Sequence, residues 1–241
     1  MRAESGEREA DGVAEPLRPL AVAFDVNETL TDLSPVSEVF ARLGLSADDL
    51  RWWFAVLLRD GMALAAAGGS AGFADLAGEA LDEVAAARGR DLGPGAAEEI
   101  IQAMGAVPVH PDVVPALDAL AAAGVAAYAL TNGGAAFARR ILDAAGVAER
   151  LADVLSVDAV GHWKPRPEPY LWAAGVAGVE PGRMALVAVH PWDTHGASAA
   201  GLLSGWVNRA RRPYPKLFTP PTVTGPDLVS VVERLVALDG T

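Results

Sequence analysis

Asp25 is the residue in this chain whose type and setting most directly suggest chemistry, because it ends an apolar run, Leu20-Ala21-Val22-Ala23-Phe24, and opens the polar cluster Asp25-Val26-Asn27-Glu28-Thr29. Burial at the end of a strand raises a carboxyl pKa and favours the neutral acid, so such a group stays ionised only with donors or a cation beside it. Thr29, Thr131, Asn132 and Lys164 are of the types that would supply them. A carboxylate held in this way can attack an electrophilic carbon or phosphorus and form an ester that water then cleaves. Taken alone, Asp25 is equally well explained as a turn or helix-capping residue.

Other polar clusters change that balance. Thr131-Asn132-Gly133-Gly134, Gly161-His162-Trp163-Lys164-Pro165, His190-Pro191-Trp192-Asp193-Thr194-His195 and Asn208-Arg209 each follow a further apolar run. The runs at 20–24, 126–130, 154–157, 184–189 and 202–207 read as buried parallel strands. Helical patterns at 113–123, 135–145, 169–176 and 196–200 alternate with the later ones. Alternation of this kind implies an α/β fold with a doubly wound, mostly parallel sheet and right-handed crossovers. Ligands of such sheets bind beyond the carboxyl ends of the strands, where the polar clusters fall.

Roughly a hundred residues separate the first two strands, far more than the ~10–12 that one crossover needs. Helix-like segments at 35–42, 47–66, 72–88 and 95–104, with glycine-rich turns between them, fill that interval. The expected organisation is a polar, mobile tail over residues 1–17, an α/β core over 18–33 and 108–241, and an all-helical cap over 34–107. A Pro-rich stretch at 213–226 precedes a final amphipathic helix at 227–238.

Composition excludes rather than selects. A formal charge of -12 argues against nucleic acid or an anionic membrane as the main partner, and the absence of cysteine removes thiolate and disulfide chemistry. With no signal-like N-terminus and no long apolar run, a cytoplasmic location is expected. Lys164 and Lys216 are the two lysines, and Asn27, Asn132 and Asn208 the three asparagines. Lys164 and all three asparagines fall just beyond expected strands.

The segments FDVNETL, LTNGG, KPRPEPY and VAVHPWDTHGA resemble the four ordered motifs of the haloacid dehalogenase superfamily. The Trp192-Asp193 pair, and Tyr170 six residues after Lys164, bring the chain nearest to the type II, or (S)-2-haloacid, dehalogenases. The resemblance implies a Rossmann-like core with a cap and a hydrolase that needs no cofactor. Asp25 would be the nucleophile, supported by Thr29. Thr131, Asn132 and Tyr170 would face the substrate, and Lys164 would balance the carboxylates and, with Asp193 as a further catalytic residue, position the water that cleaves the ester. Substrates would be small 2-haloalkanoic acids, and the protein would form a homodimer.

Most of the superfamily are magnesium-dependent phosphatases with a second aspartate two residues after the nucleophile, where this chain has Asn27. An amide cannot protonate a leaving alcohol, and one acid in the last motif is a poor magnesium donor set. The expectation is therefore displacement of halide at carbon, with a magnesium-dependent phosphatase or a non-catalytic ligand-binding protein as alternatives. Against the dehalogenase pattern, Asn27 and Glu28 replace an aromatic residue and a glycine, while Ala188 and His190 stand where serine and asparagine are usual. His190 and His195 bracket Asp193 and are the candidates for proton handling, with His190 placed on the substrate side. Arg51 and Arg59, flanking Trp52-Trp53-Phe54, are the candidates for a cap arginine that meets the leaving halogen. Three consecutive aromatic residues cannot share one helix face, so one ring should turn toward solvent or the cleft.

Overall fold

A computed structural model describes residues 18–238, and the expected tail over residues 1–17 lies outside the described residues. Strand β1 (Ala21–Phe24) is buried along its whole length and pairs with β2 (Ala126–Thr131) on one side and β4 (Met184–Ala188) on the other. With β3 (Asp153–Ser156), β5 (Leu203–Val207) and β6 (Val223–Gly225), they form one parallel sheet in the order β3-β2-β1-β4-β5-β6. Phe24 lies level with Ala129 and Val187. That register brings the residues after β1, β2 and β4 to one edge, the carboxyl end of the sheet's centre.

Alternation along β1 divides the core. Val22 and Phe24 pack against α5 (Val113–Ala122), α6 (Ala135–Ala144) and α9 (Leu228–Val236). Ala21 and Ala23 face the layer of α7 (Pro167–Ala177) and α8 (Pro191–Ala199). Burial on both faces explains why these strands are apolar runs without a polar alternation.

Between β1 and β2 lie α1 (Val36–Arg42), α2 (Ala47–Ala66), α3 (Phe73–Ala87) and α4 (Ala96–Met104), which build a separate apolar cluster around Phe40, Trp53, Leu57, Val84 and Ile100. A capping box starts α2, with the Ser46 hydroxyl accepting from the Asp49 amide and the Asp49 carboxylate accepting from the Ser46 amide. Trp163, from the loop after β3, belongs to this cluster and donates to the Ala71 carbonyl at 3.0 Å. Gly61 leaves room for it, since a Cβ there would run into the Trp163 ring. The neighbour of Trp163 is Lys164, so packing against the inserted helices holds the lysine's loop. Among the described residues, no helix is long and apolar enough to cross a membrane.

Two elements differ from the sequence reading. Helix α8 begins at Pro191, not near 196, so Trp192, Asp193, Thr194 and His195 are helical and not in a loop. Proline at the first helical position loses no hydrogen bond and enters with a suitable φ, which lets the helix start directly after β4. The second difference is β6, a three-residue strand inside the stretch read as Pro-rich. Its pairing with β5 is a tertiary contact that local sequence does not display.

Candidate active site

Asp25 lies one residue beyond β1, with its amide donating to the Val187 carbonyl at 3.0 Å. Its two oxygens have different neighbours. Oδ1 accepts from Lys164 Nζ at 2.9 Å, and Oδ2 accepts from Thr29 Oγ1 at 2.9 Å and from His190 Nδ1 at 3.0 Å. Thr29 Oγ1 itself accepts from the Val189 amide, which ties the turn after β1 to the end of β4. Burial alone would raise the carboxyl pKa, but the charge of Lys164 and the hydrogen bond and charge of His190 outweigh it. Asp25 is thereby held well below the usual carboxylate range.

Lys164 is completely buried. Burial opposes its charge, yet the carboxylates of Asp193 and Asp25 raise its pKa above the ordinary lysine value. Its ammonium has three acceptors, Asp25 Oδ1, Asp193 Oδ2 at 2.7 Å and the Leu130 carbonyl at 2.9 Å, so all three N–H groups are used. Asp193, on the first turn of α8, accepts at its other oxygen from the Tyr170 hydroxyl at 2.6 Å. Burial, with Asp25 nearby, raises the Asp193 pKa even though Lys164 pulls it down. Burial also pushes the Tyr170 hydroxyl well above its usual value, so the phenol stays a donor.

The Asn132 side chain is spent on the backbone of Lys164, accepting from its amide at 3.0 Å and lying 3.4 Å from its carbonyl oxygen. It shapes the lysine loop. Thr131 Oγ1 accepts from the Gly133 amide, which leaves its own proton free to donate. Beside these residues is a cavity of about 10 Å³ lined by Asn27, Phe73, Thr131 and Phe137 among others. That is about the space of one water molecule. A larger open groove, about 470 Å³, runs between α3 and α4 and contains none of the residues above.

His190 caps α8 with its ring between two carboxylates, Nδ1 on Asp25 and Nε2 at 2.9 Å from Glu28 Oε2. Since both ring nitrogens face carboxylate oxygens, both donate, and the ring is an imidazolium. Burial opposes that charge, but the hydrogen bonds and charges of Asp25 and Glu28 push its pKa up to about 10. Phe54 and Trp192 flank it, with ring centroids at 6.2 and 5.3 Å. Phe54 is thus the ring of the aromatic triplet that faces the site. Trp53 is buried in the helical insert and Trp52 lies under the Arg88 guanidinium.

Sequence reading marks Glu28 only as a departure from the family pattern and gives it no role. The available signal was a non-glycine residue at the place between nucleophile and threonine where the family has glycine, combined with a histidine gained in the last motif. Glu28 keeps the backbone such a glycine would adopt, at φ 61.

His195 stands apart from this group, accepting from the Thr219 amide and stacking on Phe218. Arg51 and Arg59 are also elsewhere. Their side chains are 77% and 55% exposed, Arg51 pairing with Asp48 and Arg59 with Asp60 and Glu83. Their position on the outer face of α2 corrects the expectation of a halogen-binding arginine from this pair. His110 reaches the Glu28 carbonyl from the segment that returns to the core.

The donor set does not fit magnesium. Both oxygens of Asp193 are taken by Lys164 and Tyr170, and those of Asp25 by Lys164, His190 and Thr29. Two protein cations already occupy the surroundings that a divalent ion would need. Among the described residues, no group of three or more His, Cys, Asp or Glu side chains is arranged to hold a metal.

A buried, ionised carboxylate at the carboxyl edge of a doubly wound sheet, with a long helical insert after the first strand, defines a class, and residues 19–201 match the model of the haloacid dehalogenase-like hydrolases. The chain belongs to that family. Within it, the chain is similar to (S)-2-haloacid dehalogenase 1 of Pseudomonas sp. (strain CBS-3), 30% identical over 208 residues covering 86% of this chain and 91% of that protein. It is also similar to haloacetate dehalogenase H-2 of Moraxella sp. (strain B), 26% identical over 217 residues covering 89% of this chain and 97% of that one. Among solved structures, the L-2-haloacid dehalogenase RSc1362 superposes with a TM-score of 0.86 at 27% identity, covering 91% of this chain and all of that one.

Proposed function

We propose that this hydrolase removes halide from a small 2-haloalkanoic acid. The Asp25 carboxylate attacks the α-carbon and halide leaves, producing an aspartyl ester that water hydrolyses to the 2-hydroxy acid and free Asp25. The observation that carries this reading is a buried aspartate kept ionised by Lys164, His190 and Thr29, with Asn27 in place of a second carboxyl two residues on that would protonate an alcohol. Halide needs no proton to leave, so displacement at carbon suits this equipment and phosphate-ester cleavage does not. The named activities of the relatives support the same choice.

Lys164 bridges Asp25 and Asp193, keeping the first ionised and adding a donor to its inward oxygen. The Thr131 hydroxyl and the amides at the start of α6, which has no side-chain cap, would meet the substrate carboxylate. The inserted helices act as a cap, with Phe54 and Phe73 supplying apolar walls that exclude water.

Free halide and free phosphate measured together, on a panel of 2-haloacids and phosphate esters with and without chelator, test the proposal. Chelator-insensitive halide release is expected, lost in Asp25→Asn while circular dichroism is unchanged. Phosphate release that chelator abolishes, or halide release surviving in Asp25→Asn, refutes it.

A further inference from the structure

Glu28 holds φ 61, in the left-handed region that a residue with a Cβ rarely adopts. What that conformation achieves is alignment. It brings the Glu28 carboxylate to His190 Nε2 at 2.9 Å while His190 Nδ1 lies 3.0 Å from Asp25 Oδ2. The three groups form a line from the partly exposed Glu28 carboxylate to the buried nucleophile. Displacement at carbon uses this line only to help keep Asp25 ionised, since halide accepts no proton. Hydrolysis of the ester does need a base, and Asp193, engaged by Lys164 and Tyr170, has no oxygen left without a partner.

We propose, building on the dehalogenase reading above, that His190 oriented by Glu28 is the general base that hydrolyses the Asp25 ester, and that formation of the ester switches the imidazole into that role. Oδ2 is the outward oxygen and becomes the ester oxygen, while Oδ1 stays on Lys164 as the ester carbonyl. Alkylation removes the negative charge that paired with Nδ1. The imidazolium then keeps one carboxylate neighbour instead of two and releases its proton to solvent, accompanying the halide. Neutral His190 takes a proton from water as the water oxygen bonds to Asp25 Cγ. Lys164 stabilises the oxyanion at Oδ1. As the bond from Cγ to the ester oxygen breaks, the leaving alkoxide takes the remaining proton of the added water. The products are the 2-hydroxy acid, ionised Asp25 and a protonated His190 that pairs with it again. Asp25 and Glu28 are the charged groups hydrogen-bonded to the ring. From α2 and from its own helix it meets the uncharged Phe54 and Trp192, and Lys164 sits on the other oxygen of Asp25.

Intact-protein mass spectrometry with halide detection, after rapid mixing with chloroacetate or (S)-2-chloropropionate, separates the two steps. His190→Gln should give a burst of about one halide per enzyme and then retain the mass of the esterified acid, with turnover at least about 100-fold slower. Glu28→Gln, a positioning change, should keep the burst and slow ester decay less. It should also move the acidic limb of the kcat profile to lower pH, because the ring loses a charge that holds its proton; a purely structural role would leave that limb in place. Ester decay at the wild-type rate in His190→Gln, or an unmoved limb in Glu28→Gln, overturns the base assignment and leaves the dehalogenase reading standing. No halide release from the wild type overturns both.

Discussion

Replacing Lys164 by Met keeps most of the side chain's volume but removes the ammonium that joins Asp25 to Asp193. Breaking a buried ion pair by deleting one partner costs about 3–5 kcal/mol, because the other charge stays buried without compensation. Here one ammonium serves two buried carboxylates and the Leu130 carbonyl, so the upper end, about 5 kcal/mol, applies. For a chain of this size each kcal/mol moves Tm by roughly 2–4 °C, giving a fall of roughly 10–20 °C at pH 7. The sign with pH follows from the carboxylates. In the wild type Asp25 has a depressed pKa, so its contribution is present above the unfolded value of 3.8 and is lost only as pH falls through the lower folded value. Without Lys164, Asp193 is left to burial and Asp25 keeps only His190 and Thr29, so both carboxyls bind protons more readily than in the wild type as pH falls. The difference between variant and wild type should therefore shrink from pH 7 to pH 5. Thermal and urea unfolding at both values measure it. A Tm within about 3 °C of wild type at pH 7, or a difference that grows at pH 5, would refute the assignment of Lys164 as the common counter-ion.

His190 gives the opposite pH dependence. Its folded pKa, about 10, lies above the ordinary 6.5, so its pairing stabilises fully below 6.5 and fades as pH rises toward 10; urea unfolding of His190→Gln against wild type should show a gap at pH 6 that narrows by pH 10. Gly61→Ala should destabilise by about 1–3 kcal/mol, since the added methyl meets the Trp163 ring, and the accompanying shift of the Lys164 loop should lower kcat more than it raises KM. Arg51→Ala and Arg59→Ala alter exposed pairs worth at most about 1 kcal/mol; halide release should stay within about twofold of wild type, and a tenfold loss in either would restore that arginine to the site.

Strand ends were readable in the sequence because β1, β2 and β4 are buried on both faces and therefore appear as uninterrupted apolar runs. Asp25, Thr29 and Lys164 followed from their offsets to those runs, Tyr170 and Asp193 from the resemblance to the family's motifs, and the five side chains lie in one hydrogen-bonded group. Helix α8 was harder to see since Pro191–Ala199 has few large apolar residues; the proline at its first position was the usable sign. The misplaced arginines were avoidable on helical geometry. Trp53, Leu57, Gly61 and Ala65 share one face of α2, and the turn per residue points Arg51 and Arg59 away from it. Glu28 was out of reach of periodicity, because its meaning depends on a histidine 162 positions later in the chain.

That distance explains why Glu28 and His190 make sense only together. A glutamate alone at residue 28 would add a third carboxylate to Asp25 and Asp193 and repel an anionic substrate. A histidine alone at residue 190 would pair with Asp25, lose that partner on esterification and have nothing to fix its ring. With both present, the glutamate's charge is matched by the imidazolium in the free enzyme, and its carboxylate keeps the ring in place once Asp25 is alkylated. The same count of charges accounts for Lys164. In the proposed mechanism an ester at Asp25 would lose one negative charge, so the ammonium, still paired with Asp193, would favour the oxyanion that develops on Oδ1. In that mechanism the Lys164 cation would thus counter the ionised Asp25 before alkylation and the tetrahedral oxyanion after it, without moving.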